Sequence, residues 1–199
     1  MRTNLKTTLF ALAFIIPVSG AWTVANEMLV LQPQSRLWVD GTSSVKSFSC
    51  KAGTVNAVVE ATGPNAIPAL IAGEKGVKAV RVTVPAAQLE CGNGTMNEHM
   101  RKAIKLSEHS AIDFKLATYD VASSADGIAG TMTGTLTLGG VEKTITMKAE
   151  GKTEGGMLHV TGAYPLKMTE YGLKPPTLMF GRIKVGETVT VKFDLLLKS

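Results

Sequence analysis

Apolar and polar residues alternate with a period of two through most of this chain, a pattern that only extended strands with one buried face can use. In "AIDFKLATY", residues 111–119, Ile112, Phe114 and Leu116 share one face, while Asp113, Lys115 and Ala117 share the other. The C-terminal run "ETVTVKFDLLLK" repeats the theme: Val189, Val191, Phe193, Leu195 and Leu197 stand opposite Thr188, Thr190, Lys192 and Asp194. Further segments of this kind are "SRLWVD" with "SVKSFSC", "GTVNAVVEAT", "KAVRVTVPA", "GIAGTMTGTLTLGG", "KTITMKAEG" and "MLHVTGAYPLKM", giving about eight strands in all. Glycine pairs in "LGGVEKT" and "EGKTEGGML" fall where antiparallel hairpins reverse. Eight antiparallel strands close most economically into a barrel, because closure removes the edges that an open sheet must protect. The expected fold is all-β, an eight-stranded antiparallel barrel.

One stretch breaks the alternation. In "TMNEHMRKAIKL", Met96, Met100 and Ala103 with Ile104 recur at helical spacing, which predicts a short helix over Asn97 to Leu106 with Thr95 or Asn97 as its cap. A helix within a barrel sequence lies across an end or against an outer wall. Here it is expected near one mouth, as a lid or rim.

The first residues, "MRTNLKTTLFALAFIIPVSGA", place Arg2 and Lys6 before an apolar run from Leu9 to Val18 and then small residues, the order of a secretory signal peptide. The run has about half the ~20 residues needed to cross a bilayer. The expected organisation is a signal peptide over 1–21 (cleavage after Ala25 being the alternative), a tether over 22–34 and one domain over 35–199, in the periplasm or secreted. In an oxidising compartment, Cys50 and Cys91 are most simply read as one disulfide, with two buried free thiols as the alternative.

Without Arg2 and Lys6 the remaining chain has a net charge of +3, carried on singly scattered lysines. No arginine-rich or aromatic-interleaved basic tract argues for a nucleic-acid partner, whereas transient contact with a membrane surface suits a mild positive charge. Ser43-x-x-Lys46 matches a serine–lysine catalytic motif formally, but it enters a strand and lacks the partner motifs. His99, His109 and His159 have no metal-ligand spacing. The reading is therefore non-enzymatic, with no metal or cofactor.

A barrel of this size is either filled by side chains or just wide enough for one small or elongated ligand. The inward set includes Phe114, Leu116, Leu136, Ile145, Met147 and Val191, and aromatics are only 6% of the chain. Two readings stay open: an apolar lumen that binds a ligand, and a filled barrel acting as a protein-interaction or stress-related module.

Four blocks in order, "LWVDGTSSVKSFSC", "MNEHMRKAI" followed by "HSAIDFKL", "GTLTLGGVEKTITMKAEG" and "MTEYGLKPPTLMFGRIKVGETVTVKFDLLL", resemble the successive blocks of the YceI-like family of exported lipid-binding proteins. The resemblance spans roughly residues 35–199 and implies a lipocalin-like barrel with helical segments by its mouth. Its apolar tunnel would hold a polyisoprenoid or similar amphiphile, as ligand and not as cofactor. It also implies that Leu37, Val39 and Val45 occupy first-hairpin positions facing the lumen, and that Tyr171-Gly172 is a "YG" pair before the last strand. Where many members have His-Ser before the second strand, this chain has Ser43-Ser44, so a headgroup contact from that histidine has no counterpart. At the mouth, His99, Met100 and Arg101, with Lys102 beside them, are the headgroup candidates. The implied function is periplasmic binding, transport or storage of a long-chain amphiphile (a polyisoprenoid, an isoprenoid quinone, or a fatty acid or amide) by a monomer or homodimer.

Overall fold

A computed structural model describes residues 27–199; the expected signal peptide and the start of the tether lie outside the described residues. The strands are β1 (Met28–Leu31), β2 (Arg36–Thr42), β3 (Ser47–Ala52), β4 (Asn56–Ala61), β5 (Val77–Pro85), β6 (Leu89–Glu90), β7 (Ala111–Ser124), β8 (Gly127–Leu138), β9 (Val141–Glu154), β10 (Met157–Lys167), β11 (Thr177–Leu178), β12 (Ile183–Lys184) and β13 (Thr188–Lys198). Two helices, α1 (Ala66–Ile71) and α2 (Gly94–Ala103), interrupt them.

Six of the strands are halves of three longer staves. β1 continues as β2 across residues 32–35, β3 as β4 across residues 53–55, and β5 as β6 across a 3-10 turn at Ala86–Gln88. The register shows the continuity: Trp38 pairs with Lys51 in β2–β3, and Leu29 with Val59 in β1–β4, so one hairpin runs through both breaks. Counted this way, eight staves pair antiparallel in chain order, and β13 returns to bond both halves of the first, Val191 to Val39 and Leu31 to Leu197. The sheet closes on itself as the alternation required. The expected tether is corrected here: Met28–Leu31 is part of the barrel wall, with Leu29 buried, because this apolar segment finds a partner on each side in β4 and β13.

Side-chain direction follows the pleat with one adjustment. In β7 the register shifts between Leu116 and Thr118, so a bulge at Ala117 resets the parity, and Tyr119 and Val121 reach the lumen below Phe114 and Leu116. The outward face carries charge. Asp194 of β13 accepts from Arg36 of β2 at 2.7 Å and meets His159 of β10 at 2.6 Å, stitching three adjacent staves. Burial opposes ionisation of Asp194, but the hydrogen bonds from Arg36 and His159 outweigh it and hold the carboxyl below the usual carboxylate range.

The two ends differ. α1, which the alternation did not foreshadow, is a six-residue plug whose Ala66, Ile67 and Leu70 pack with Leu29, Ile128 and Leu158 to close one end. α2 lies at the other, and its span corrects the expected one. Asn93 is the cap, accepting from the Met96 amide at 2.9 Å, and the helix ends at Ala103 just before Lys105 turns left-handed at φ 58°. Asn97, expected as a cap, is instead buried within the helix: its Oδ1 accepts from the Cys91 amide at 2.7 Å, and its amide donates to Glu90. The helix is thereby bonded to the end of β6.

Candidate functional site, an apolar lumen

Between the plug and the rim, the barrel encloses a cavity of about 590 Å³, within the range of pockets that take small organic ligands. All nine expected lumen residues line it: Leu37, Val39 and Val45 from the first hairpin, Phe114 and Leu116 from β7, Leu136 from β8, Ile145 and Met147 from β9, and Val191 from β13. Of the headgroup candidates, His99 and Met100 also line it. Arg101 does not. Its guanidinium turns to the strand wall, donating to the Ala87 carbonyl at 3.1 Å and to Glu90 at 3.2 Å, because α2 lays that face of the helix along β6. Lys102 pairs with Glu98 one turn back.

The lumen stays open because several of its largest side chains lie flat against the wall. Gly41 stands opposite Phe48 in the β2–β3 ladder, and Gly162 opposite Phe193 in β10–β13. A Cβ added at either glycine would sit 2.3 Å from the phenyl Cζ, and one at Gly134 would sit 2.6 Å from that of Phe114. Each ring therefore occupies the space over a missing side chain, the device by which aromatics cover glycines in sheets. Rings folded down in this way add apolar surface without filling the centre. Gly162→Ala should push the Phe193 ring into the lumen, costing about 1–3 kcal/mol of stability by overpacking and weakening ligand uptake several-fold; thermal unfolding and ligand titration of the same variant check both.

Cys50 and Cys91 are joined by a disulfide, with Cα atoms 3.9 Å apart. They occupy the register position that follows Ala52–Leu89 and Lys51–Glu90 in the short β3–β6 ladder, and both line the cavity just below α2. The bond, the Asn93 cap and the buried Asn97 thus all act on one short segment. They hold the rim helix at a defined height above the lumen.

Beside α2, the rim is built from two hairpin tips. Ser43 pairs with Val185 as an isolated bridge, and Ser44 accepts from the Lys184 amide while its own amide donates to the Lys184 carbonyl. The β2–β3 turn and the β11–β12 hairpin are therefore locked side by side. The Ser43 hydroxyl donates to the Lys46 carbonyl at 2.9 Å and accepts from the Val45 and Lys46 amides. That is a turn-closing role, not nucleophile activation. Sequence reading missed the contribution of β11–β12, whose Leu178 and Ile183 extend the lining; "TLMFGRIKV" is too short and irregular to register as paired strands.

Tyr171 of the "YG" pair is 1% exposed and sits in an apolar cluster with Leu166, Met168 and Leu173, which themselves line the cavity. Burial, with added repulsion from Tyr164 and Glu170, pushes its hydroxyl up to about 12, so it stays neutral. Gly172 follows at φ 63°, a left-handed position that ends the 3-10 turn Met168–Tyr171. His109 packs against the β8–β9 turn at Gly140, and His159 is on the outer wall. Among the described residues no group of three His, Cys, Asp or Glu side chains is placed to hold a metal ion.

Comparison with known proteins agrees with this architecture. The structure is similar to that of BcnA from Burkholderia cenocepacia, with a TM-score of 0.63, 16% identity, and coverage of 81% of this chain and 95% of that one. It is also similar to the YceI protein of Campylobacter jejuni, at a TM-score of 0.58 and 18% identity over 74% of this chain and 82% of that one. A polyisoprenoid binding domain from Saccharophagus degradans, implicated in plant cell wall breakdown, matches at a TM-score of 0.56 and 13% identity over 86% and 97% of the two chains. No curated protein sequence matches significantly. Residues 37–197 match the YceI-like domain, and with the closed barrel of eight staves around a continuous apolar lumen they make this chain a member of the YceI-like domain family.

Proposed function

We propose that this protein binds a long-chain amphiphile, an isoprenoid or a fatty chain, inside the barrel, and carries or stores it in the periplasm without chemically altering it. The observation that carries the reading is the lumen, a cavity of about 590 Å³ bounded by aliphatic, methionine and folded-down phenyl side chains, plugged at one end by α1 and rimmed at the other by α2. An apolar chain left in water is costly at about 25 cal/mol per Å². A dry lining relieves that cost without demanding directional contacts, so selectivity rests on length and girth. The open interior favours this reading over a filled barrel serving as an interaction module. The polyisoprenoid binding domain among the structural neighbours supports an isoprenoid as the first ligand to offer. The leader-like N-terminus and the disulfide support export.

Native mass spectrometry of the exported protein, followed by organic extraction, should reveal a stoichiometric lipid. Offered a homologous series, the protein should gain about 0.8 kcal/mol, roughly fourfold in affinity, per added methylene until the lumen is full. Affinity independent of chain length, together with a lipid-free mass, would overturn the reading.

A further inference from the structure

We infer that the rim of the barrel docks on an anionic phospholipid surface, with the tips of the two locked hairpins as the inserted element. Three apolar side chains crown this rim: Val45 is 68% exposed, Met179 65%, and Phe180 fully exposed at the outermost turn. They belong to one rigid unit, because the β2–β3 turn that bears Val45 is hydrogen bonded to the strand that follows Phe180.

The turn itself departs from ordinary chemistry. Leu178 accepts from the Gly181 amide, and the two central residues of that turn, Met179 and Phe180, have φ of 49° and 55°. Such a turn ordinarily uses Asn and Gly, since left-handed backbone is unfavourable for bulky side chains. Here two large apolar residues are held there, Met179 65% and Phe180 fully exposed to solvent. The water boundary of a bilayer is an environment that takes up apolar side chains presented in this way.

The charge around the tips names the surface. Lys46 flanks Val45, Arg182 and Lys184 follow Phe180, and Lys174 precedes the hairpin; among the described residues none of the four is in a salt bridge, and no acidic residue occurs in sequence between Thr42 and Ser47 or between Gly172 and Gly186. At the plugged end, by contrast, the charges are mixed: Asp126 lies in the turn after β7, Glu154 at the end of β9 pairs with Lys152 and His159, and Glu74 precedes Lys75 after α1. A cation ring around an apolar tip is the complement of negatively charged headgroups over an acyl boundary. Val45, Leu178 and Ile183 also line the lumen, so docking in this orientation sets the mouth against the bilayer.

The test uses protein recovered from an exporting host, its N-terminus read by intact mass so that all variants share it. Co-sedimentation with vesicles of phosphatidylglycerol and phosphatidylcholine in equal parts should retain the protein, and pure phosphatidylcholine should retain far less. The double variant Met179→Ser/Phe180→Ser should bind about tenfold more weakly, and Lys46→Gln/Arg182→Gln/Lys184→Gln should abolish the preference for phosphatidylglycerol. Uptake of a fluorescent fatty acid from detergent-free buffer, measured on the same samples, reports the lumen separately: unchanged uptake with lost vesicle binding supports docking, and vesicle binding without uptake leaves docking standing while the carrier reading fails. Wild-type protein that ignores anionic vesicles, or variants that bind as well as wild type, would overturn the inference. So would a Phe180-dependent dimer in analytical ultracentrifugation without vesicle binding, because the patch would then be covered by a second copy.

Discussion

Leu136→Trp is expected to abolish uptake of a long-chain amphiphile while leaving the barrel folded. Leu136 is 9% exposed, points inward near the C-terminal end of β8 opposite Phe114 and beside Gly134, and lines the cavity. An indole there has room to project into the lumen, so the overpacking cost should stay at the low end of about 1–3 kcal/mol. The ligand, however, loses the space of several methylenes at about 0.8 kcal/mol each, a weakening of roughly a hundredfold or more. Titration with the best binder from the chain-length series, alongside a melting curve, separates the two effects. Full binding by a folded variant would mean that this part of β8 does not bound the ligand site.

The second large effect concerns the disulfide. Cys50 and Cys91 are 41 residues apart, and closing a loop of that length contributes about 4 kcal/mol by the chain-entropy argument. The cross-link acts on a weak place, since β3 and β6 share only the Lys51–Glu90 and Ala52–Leu89 pairs and α2 hangs from that ladder. In Cys50→Ser/Cys91→Ser the long staves retain their own registers, so the loss should fall mainly on local opening of the rim. Ligand dissociation should accelerate by tenfold or more, about 1.4 kcal/mol. The melting temperature should fall by less than the roughly 8–16 °C expected if the whole 4 kcal/mol fell on global unfolding. An unchanged dissociation rate in stopped-flow displacement would show that the rim does not gate the lumen.

These expectations rest on features that were unequally legible. Inward residues such as Phe114, Ile145 and Val191 could be read directly, since a period of two assigns a face to each strand residue regardless of what the strand packs against. The disulfide followed from two cysteines and a leader-like N-terminal sequence. The boundaries of α2 were harder: Gly92 and Gly94 surround its true cap, Asn93, and the buried role of Asn97 depends on a strand end that only folding brings near. Arg101 was expected at the mouth because helix spacing assigns a face but not what that face meets. The rim hairpin escaped notice altogether, its two-residue strands being stabilised by the β2–β3 turn more than a hundred residues earlier in the chain.

The sequence by itself determined the all-β class, the faces of the long strands and the blocks that mark the family, because these depend on local periodicity and on residues read in order. Only the tertiary structure decided that the lumen is open. Whether a barrel interior is filled depends on where each large side chain lies once opposite walls face one another, and here Phe48, Phe114 and Phe193 lie over Gly41, Gly134 and Gly162. Alternation cannot distinguish a phenyl ring that fills the centre from one that lies along the wall. That difference is set by pairs on neighbouring strands and by the glycine that lets the ring lie down.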